Sequence, residues 1–171
     1  MAVRTIVLWP DPVLLRPAVP VAAFNDDLRE LARDMLETMY AANGVGLAAN
    51  QVGVPIRLLV MDTSGGRDPA ARILACNPEI LEQEGEQECE EGCLSLPGVT
   101  EPVRRPRRLR VRYQGLDGGF AEADAEDLQA RAWCHEMDHL DGSTILDRVS
   151  SLKRSLLRRG IRRKIRAGSW E

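Results

Sequence analysis

The sequence predicts an α+β domain, not an alternating α/β one. Three observations carry this. Helical periodicity is confined to one stretch near the N-terminus and two near the C-terminus. The middle of the chain reads as consecutive short strands joined by turns. No strand–helix–strand unit recurs. With 171 residues, 44% of them hydrophobic and 29% charged, a single domain over 1–171 with a sizeable core is expected. No internal repeat or low-complexity tract appears.

Asn25 is placed to cap a helix through DDLRELARDMLETMYAAN, whose Leu28, Leu31, Met35 and Met39 form an apolar stripe. Gly44 and Gly46 end it, glycine being the residue that commonly closes a helix in the left-handed conformation. PIRLLVMD and ARILACNPEI read as short strands separated by a Gly-Gly turn. From Leu81 to Glu91, glutamates at 82, 84, 86, 88 and 90 recur with period two. A strand there carries them on one wet face and turns Cys89, Glu91 and Cys93 to the other. RRLRVRYQG is a further strand, closed by the turn LDGG. A helix then runs from Asp124 to Gly142, and a last one from about Ser150 to Ala167, with Val149, Leu152, Leu156, Ile161 and Ile165 as its apolar seam.

Composition excludes several classes. Four cysteines without a Cys-x-x-Cys pair are neither a disulfide framework nor a zinc ribbon, and they suit a reducing compartment. The N-terminal apolar patch is broken by prolines too early for a signal segment, and no run reaches membrane-spanning length, so a cytoplasmic location is expected. No membrane or DNA partner is expected. The net charge of −3 hides an asymmetry. Nine Lys/Arg and one acid lie between Arg148 and Glu171, so the preceding residues carry a net charge of −11.

The two histidines of the chain fall in CHEMDHLDG, as His-Glu-x-x-His. On a helix, His135 and His139 project from one face and can grip one ion, while Glu136 reaches a water rather than the metal. The third ligand must lie upstream. A histidine six residues past His139 is missing, the position being Ile145, and no acid occurs between Asp147 and Glu171. Cysteine is the strongest candidate for a borderline metal. Cys76 lies in an apolar run and Cys134 points a quarter-turn away from His135. Cys89 and Cys93 remain, and Cys93, at a strand end in EGCLSLPG, is the ligand this reasoning selects. Three protein ligands leave one position of a tetrahedral ion open, as a catalytic site requires.

GVGLAANQVG at 44–53, EGCLSLP at 91–97 and HEMDHLDG at 135–142 together resemble, in order and spacing, the three motifs of peptide deformylases. The resemblance runs over essentially the whole chain. It implies antiparallel strands packed around the histidine helix. The implied activity is removal of the formyl group from the initiator methionine of new proteins. One divalent metal per chain is implied, ferrous iron first and zinc as the alternative, held by Cys93, His135 and His139. Glu136 is then the general acid/base, and the Gln51 amide and the Leu94 N–H are the oxyanion donors. Val45 and Gly46 pair with the substrate backbone, and Leu128 and Ala132 wall a methionine pocket, with Glu91 among the substrate-binding residues.

Two positions depart from the family pattern. Cys134 stands where glutamine usually precedes the first histidine, and Arg131 faces the implied apolar pocket, where its stem can cover the wall while its head reaches water. Asp138 is read as a supporting residue, paired with an arginine among 104–108. Two other functions compete. A metallopeptidase should show a downstream third ligand, and a purely binding module has no need of Glu136 or Gln51. The basic helix at 150–167 suggests a contact with ribosomal phosphate, against a plain solvated helix.

Overall fold

The computed structural model describes residues 2–171. Helix α1 (Asp26–Ala41) begins where the Asn25 side chain accepts the Leu28 N–H at 3.0 Å, and Asp26 and Asp27 complement the helix dipole. Its end departs from expectation. Asn43, with φ 54, takes the left-handed conformation, which neither Gly44 nor Gly46 adopts. Asparagine tolerates that region because its short polar side chain can bond locally.

Seven strands follow: β1 (Gly46–Ala48), β2 (Leu58–Met61), β3 (Ile73–Glu84), β4 (Gln87–Cys93), β5 (Leu96–Arg105), β6 (Arg108–Gln114) and β7 (Phe120–Glu126). They form a five-stranded antiparallel sheet in the order β1-β2-β3-β6-β7 and a separate β4-β5 hairpin. The strand expected over Leu81–Glu91 is therefore divided. Gly85, at φ +67, breaks it, so Glu82 and Glu84 stay on β3 while Glu88 and Glu90 pass to β4. The alternation survives the break: those glutamates are exposed, and Cys89, Glu91 and Cys93 lie on the less exposed face.

The helix expected from Asp124 starts at Asp127 as α2 (Asp127–Leu140). The residues before it form β7, although its alanines and glutamates favour helix. Pairing with the arginine row of β6 overrides that propensity: Arg110 reaches Glu122 at 3.1 Å and Arg108 reaches Glu126 at 3.0 Å.

Strand β2 shows how the layers assemble. Leu59 and Met61 join the core under α2, with Trp133, Ala75, Val111 and Leu140. Leu58 and Val60 face the opposite way, against Leu28, Met35 and Met39 of α1. The sheet thus lies between the two helices, and the face of α2 not used in packing is left for the site. A third cluster joins Trp9, Leu14, the β5 residues Leu96, Val99 and Val103, and Ile161 of α3 (Ser151–Arg166).

Helix α3 lies where expected, with Ser150 as its cap, but its seam is rotated. Ile161 is buried and Leu157 packs partly against the third cluster, whereas Leu152 and Leu156 stand exposed at 71% and 52%. The charges of Arg154 and Arg158 turn towards Asp147 on the docked side. No helix among the described residues is long and apolar enough to cross a membrane.

Gly142 closes the histidine motif at φ +77, and a Cβ there would sit 2.7 Å from the Arg16 carbonyl carbon. Both the conformation and the contact demand glycine. Gly142→Ala should cost about 1–3 kcal/mol and lower the midpoint of thermal unfolding by several degrees. An unchanged midpoint would show that the Arg16 segment yields freely.

Candidate active site

His135 and His139 leave α2 one turn apart, with their Nε2 atoms 3.2 Å from each other. The β4–β5 hairpin brings Cys93 Sγ to 3.3 Å from His139 Nε2. The three ligand atoms lie within 4.8 Å of one another. Tetrahedral coordination with bonds of about 2.1 Å to nitrogen and 2.3 Å to sulfur gives edges close to these separations. A shared cation also accounts for two ring nitrogens facing each other. A nitrogen–nitrogen–sulfur set suits a borderline divalent ion. The other thiols stay out of the cluster. Cys76 and Cys134 are buried in the core, and burial pushes each up to about 11.

Behind the ligands lies a buried chain of charges. His135 Nδ1 is 3.1 Å from Glu91 Oε2, an arrangement that fixes the ring. Arg105 grips Glu91 with two bonds of 2.9 Å and donates to Asp138 at 2.7 Å, and Arg148 donates to Asp138 from the other side at 2.9 Å. Asp138 thus has its arginine from the 104–108 run, and a second one besides. Both Glu91 oxygens are committed to Arg105 and His135. Burial opposes ionisation of Glu91, but the bonds from His135 and Arg105 outweigh it and hold the carboxyl at about 2.

Glu136, 4% exposed, lies on the cavity side of α2 against Gly46. Its Oε2 has no hydrogen-bond partner. Burial raises its carboxyl to about 7, with the neighbouring His135 pulling the other way. A carboxyl poised near neutrality can both take and return a proton.

Gln51 sits in the short turn Ala49–Val52. Its Oε1 accepts the Ala48 N–H at 2.9 Å and its Nε2 donates to Ser95 Oγ at 3.2 Å, so the amide N–H groups point towards Cys93. An N-terminal strap supports this arrangement. The Val7 N–H donates to the Gln51 carbonyl at 2.7 Å and the Trp9 N–H to the Ser95 carbonyl at 3.0 Å. Leu94 occupies the hairpin turn beside Cys93. Around these groups opens a cavity of about 590 Å³, lined by Val45 and Gly46 on one side and by Leu128, Arg131 and Ala132 of α2 on another.

The sequence profile of the polypeptide deformylase family matches residues 3–155. The chain belongs to the peptide deformylase family. Among its relatives, a peptide deformylase of Acidobacterium capsulatum is 52% identical over 170 residues, covering 99% of this chain and all of that protein. One from Thermodesulfovibrio yellowstonii is 47% identical, covering 96% of this chain and 99% of that one. The crystal structure of a family member from Legionella pneumophila superposes with a TM-score of 0.90 at 40% identity, covering 99% of both chains.

Several residues that build the site were not singled out from sequence. Ser95 fixes Gln51, and the Asn50 side chain donates to the His139 carbonyl. Both flank residues that were chosen, and that adjacency was the available signal. Arg148 and the Val7–Trp9 strap gave none, because their bonds are made only on folding.

A Cβ at Gly46 would lie 2.5 Å from Glu136 Oε1. Gly46→Ala should therefore displace the carboxyl and lower turnover about 10²-fold or more, the scale of general acid–base catalysis, while the metal content stays near wild type. Turnover close to wild type would show that Glu136 has room to move without loss.

Proposed function

We propose that this chain removes the formyl group from the N-terminal formyl-methionine of newly made proteins, releasing formate in the cytoplasm. The single observation that carries this reading is Glu136, buried and without a partner for one oxygen, beside the Cys93–His135–His139 cluster. One divalent metal would be held there, ferrous iron first and zinc as the alternative that the same donors accept. When bound, the metal supplies a Lewis acid that brings the pKa of a coordinated water to about 7.

The residues divide the remaining work. Glu136 takes the proton of the attacking water and delivers it to the amine that leaves. The Gln51 amide and the Leu94 N–H donate to the formyl oxygen as negative charge builds there. Gln51 suits this because Ala48 and Ser95 hold it in place, so it needs no reorganisation during the reaction. The backbone at Val45 and Gly46 aligns the peptide, and Leu128 and Ala132 contact its first side chain. Glu91 contributes by fixing His135.

Glu136→Gln should keep about one metal per chain and lose nearly all formate release from a formyl-Met peptide, whereas Cys93→Ala should lose the metal itself. A chelator should abolish release by the unaltered protein. Undiminished turnover by Glu136→Gln, or full metal content in Cys93→Ala, contradicts the assignment.

The basic helix supports a further part of this reading, contact with ribosomal RNA phosphates near the emerging chain. Arg159, Arg162, Arg163 and Arg166 are exposed, while Arg158 stacks over Trp9 and Lys164 over Trp170. Because Ile161 is part of the core, neutralising charges is a better test than truncation. Changing those four exposed arginines to glutamine should abolish salt-sensitive co-sedimentation with ribosomes without altering turnover of a short peptide. Undiminished co-sedimentation would assign docking to another surface.

A further inference from the structure

The cavity-facing stripe of α2 contains a charge that the chemistry above does not use. Leu128, Arg131, Ala132, His135 and Glu136 all line the cavity. Arg131 stands four residues before His135, about 6 Å along the helix axis. Helical side chains lean towards the N-terminus, and the Arg131 guanidinium accordingly reaches β4, where its Nη1 donates to Gln87 Oε1 at 3.0 Å. Gln87 cannot turn away, because its Nε2 donates to the carbonyls of Pro106 at 2.9 Å and Asp127 at 3.0 Å.

This partner is neutral, which sets Arg131 apart from the arginines around it. Arg105, Arg108, Arg110 and Arg112 each hold a carboxylate. No carboxylate among the described residues lies within ion-pairing distance of Arg131. Three acids line the cavity and none pairs with Arg131, Glu90 among them being exposed to solvent. Glu91 is bound to Arg105 and His135, and Glu136 packs against Gly46. A guanidinium has five N–H donors, and one hydrogen bond to a carboxamide leaves most of them free. The apolar wall formed by Leu128, Ala132 and the Arg131 stem therefore ends in a half-buried cation without an ion-pair partner.

We infer that Arg131 is a specificity-determining residue that favours formylated peptides carrying a side-chain carboxylate beside the formyl group. The inference rests on the deformylase reading and adds a substrate preference to it. The carboxylate has two possible sources, the formylated residue itself or the residue after it, and each presents the same chemistry to the guanidinium. An arginine–carboxylate pair is charge-assisted and can be bidentate. At a half-exposed site it gives a preference of roughly fivefold, the upper range for a partly solvated ion pair, and one that salt weakens.

The test measures kcat/KM for formate release by the metal-loaded protein at low and high salt. One pair of peptides, formyl-Met-Asp and formyl-Met-Asn, probes the second position. A second pair, formyl-Glu-Ala and formyl-Gln-Ala, probes the first. Formyl-Met-Ala is the reference. At low salt the acid should exceed its amide about fivefold in one pair, and that pair identifies the position. The ratio should fall to one in Arg131→Leu and in Arg131→Gln, and survive in part in Arg131→Lys. Two neutral variants are included so that failure of one to fold leaves the comparison standing. Equal rates for acid and amide in both pairs would overturn the proposal, as would a preference that persists without the guanidinium. Absence of formate from every peptide, formyl-Met-Ala included, would instead overturn the activity itself and the specificity with it.

Discussion

Arg105, 4% exposed, lies between two carboxylates that belong to different parts of the chain. Glu91 comes from β4, which also carries Cys93, and Asp138 comes from α2, which also carries His135 and His139. The guanidinium therefore joins the two elements that must meet for the candidate metal ligands to meet. Separating such a buried pair leaves an uncompensated charge, at a cost of about 3–5 kcal/mol. Arg148 balances Asp138 from the far side, so the two acids and two arginines cancel before any ion enters. The site can then accept a cation and a thiolate without disturbing the charges behind it.

The strands position the opposite wall. Strand β2 is buried on both faces because α1 and α2 cover it from either side. Its partner β1 runs beneath α2 so closely that a Cβ at position 46 would meet the Glu136 side chain. The turn after β1 delivers Asn50 and Gln51, one to the backbone of the second histidine and the other to Ser95 beside the cysteine. One short segment thus fixes the metal helix and the hairpin turn at once.

Features encoded locally could be read from the sequence. Asn25 caps a helix as such a residue does before a periodic stretch, and histidines four apart share a helix face in any fold. Cys93 could be selected because the downstream sequence contains no rival. Features that depend on partners could not be read. Strand β5 is hidden in the sequence because Pro97 and Pro102 weaken any strand reading, yet Val99 and Val103 bury against Ile161 in alternation. The Ala/Glu run of β7 has helical propensity and becomes a strand only beside the arginines of β6. The seam of α3 differs from its apolar periodicity because its buried side includes the stems of Arg154 and Arg158, whose charges find Asp147. Helical periodicity alone treats arginine as a solvent residue.

The contact between Gly46 and Glu136 has a consequence for where protons can travel. The carboxyl is 4% exposed, lies against Gly46 and opens on the cavity. On the proposed reading, a peptide in that opening would stand between the carboxyl and bulk solvent. Glu136 would then serve as a private reservoir of capacity one. The hydrogen taken from the attacking water would then be the same hydrogen handed to the departing amine, and exchange with the surroundings would wait until the cavity empties.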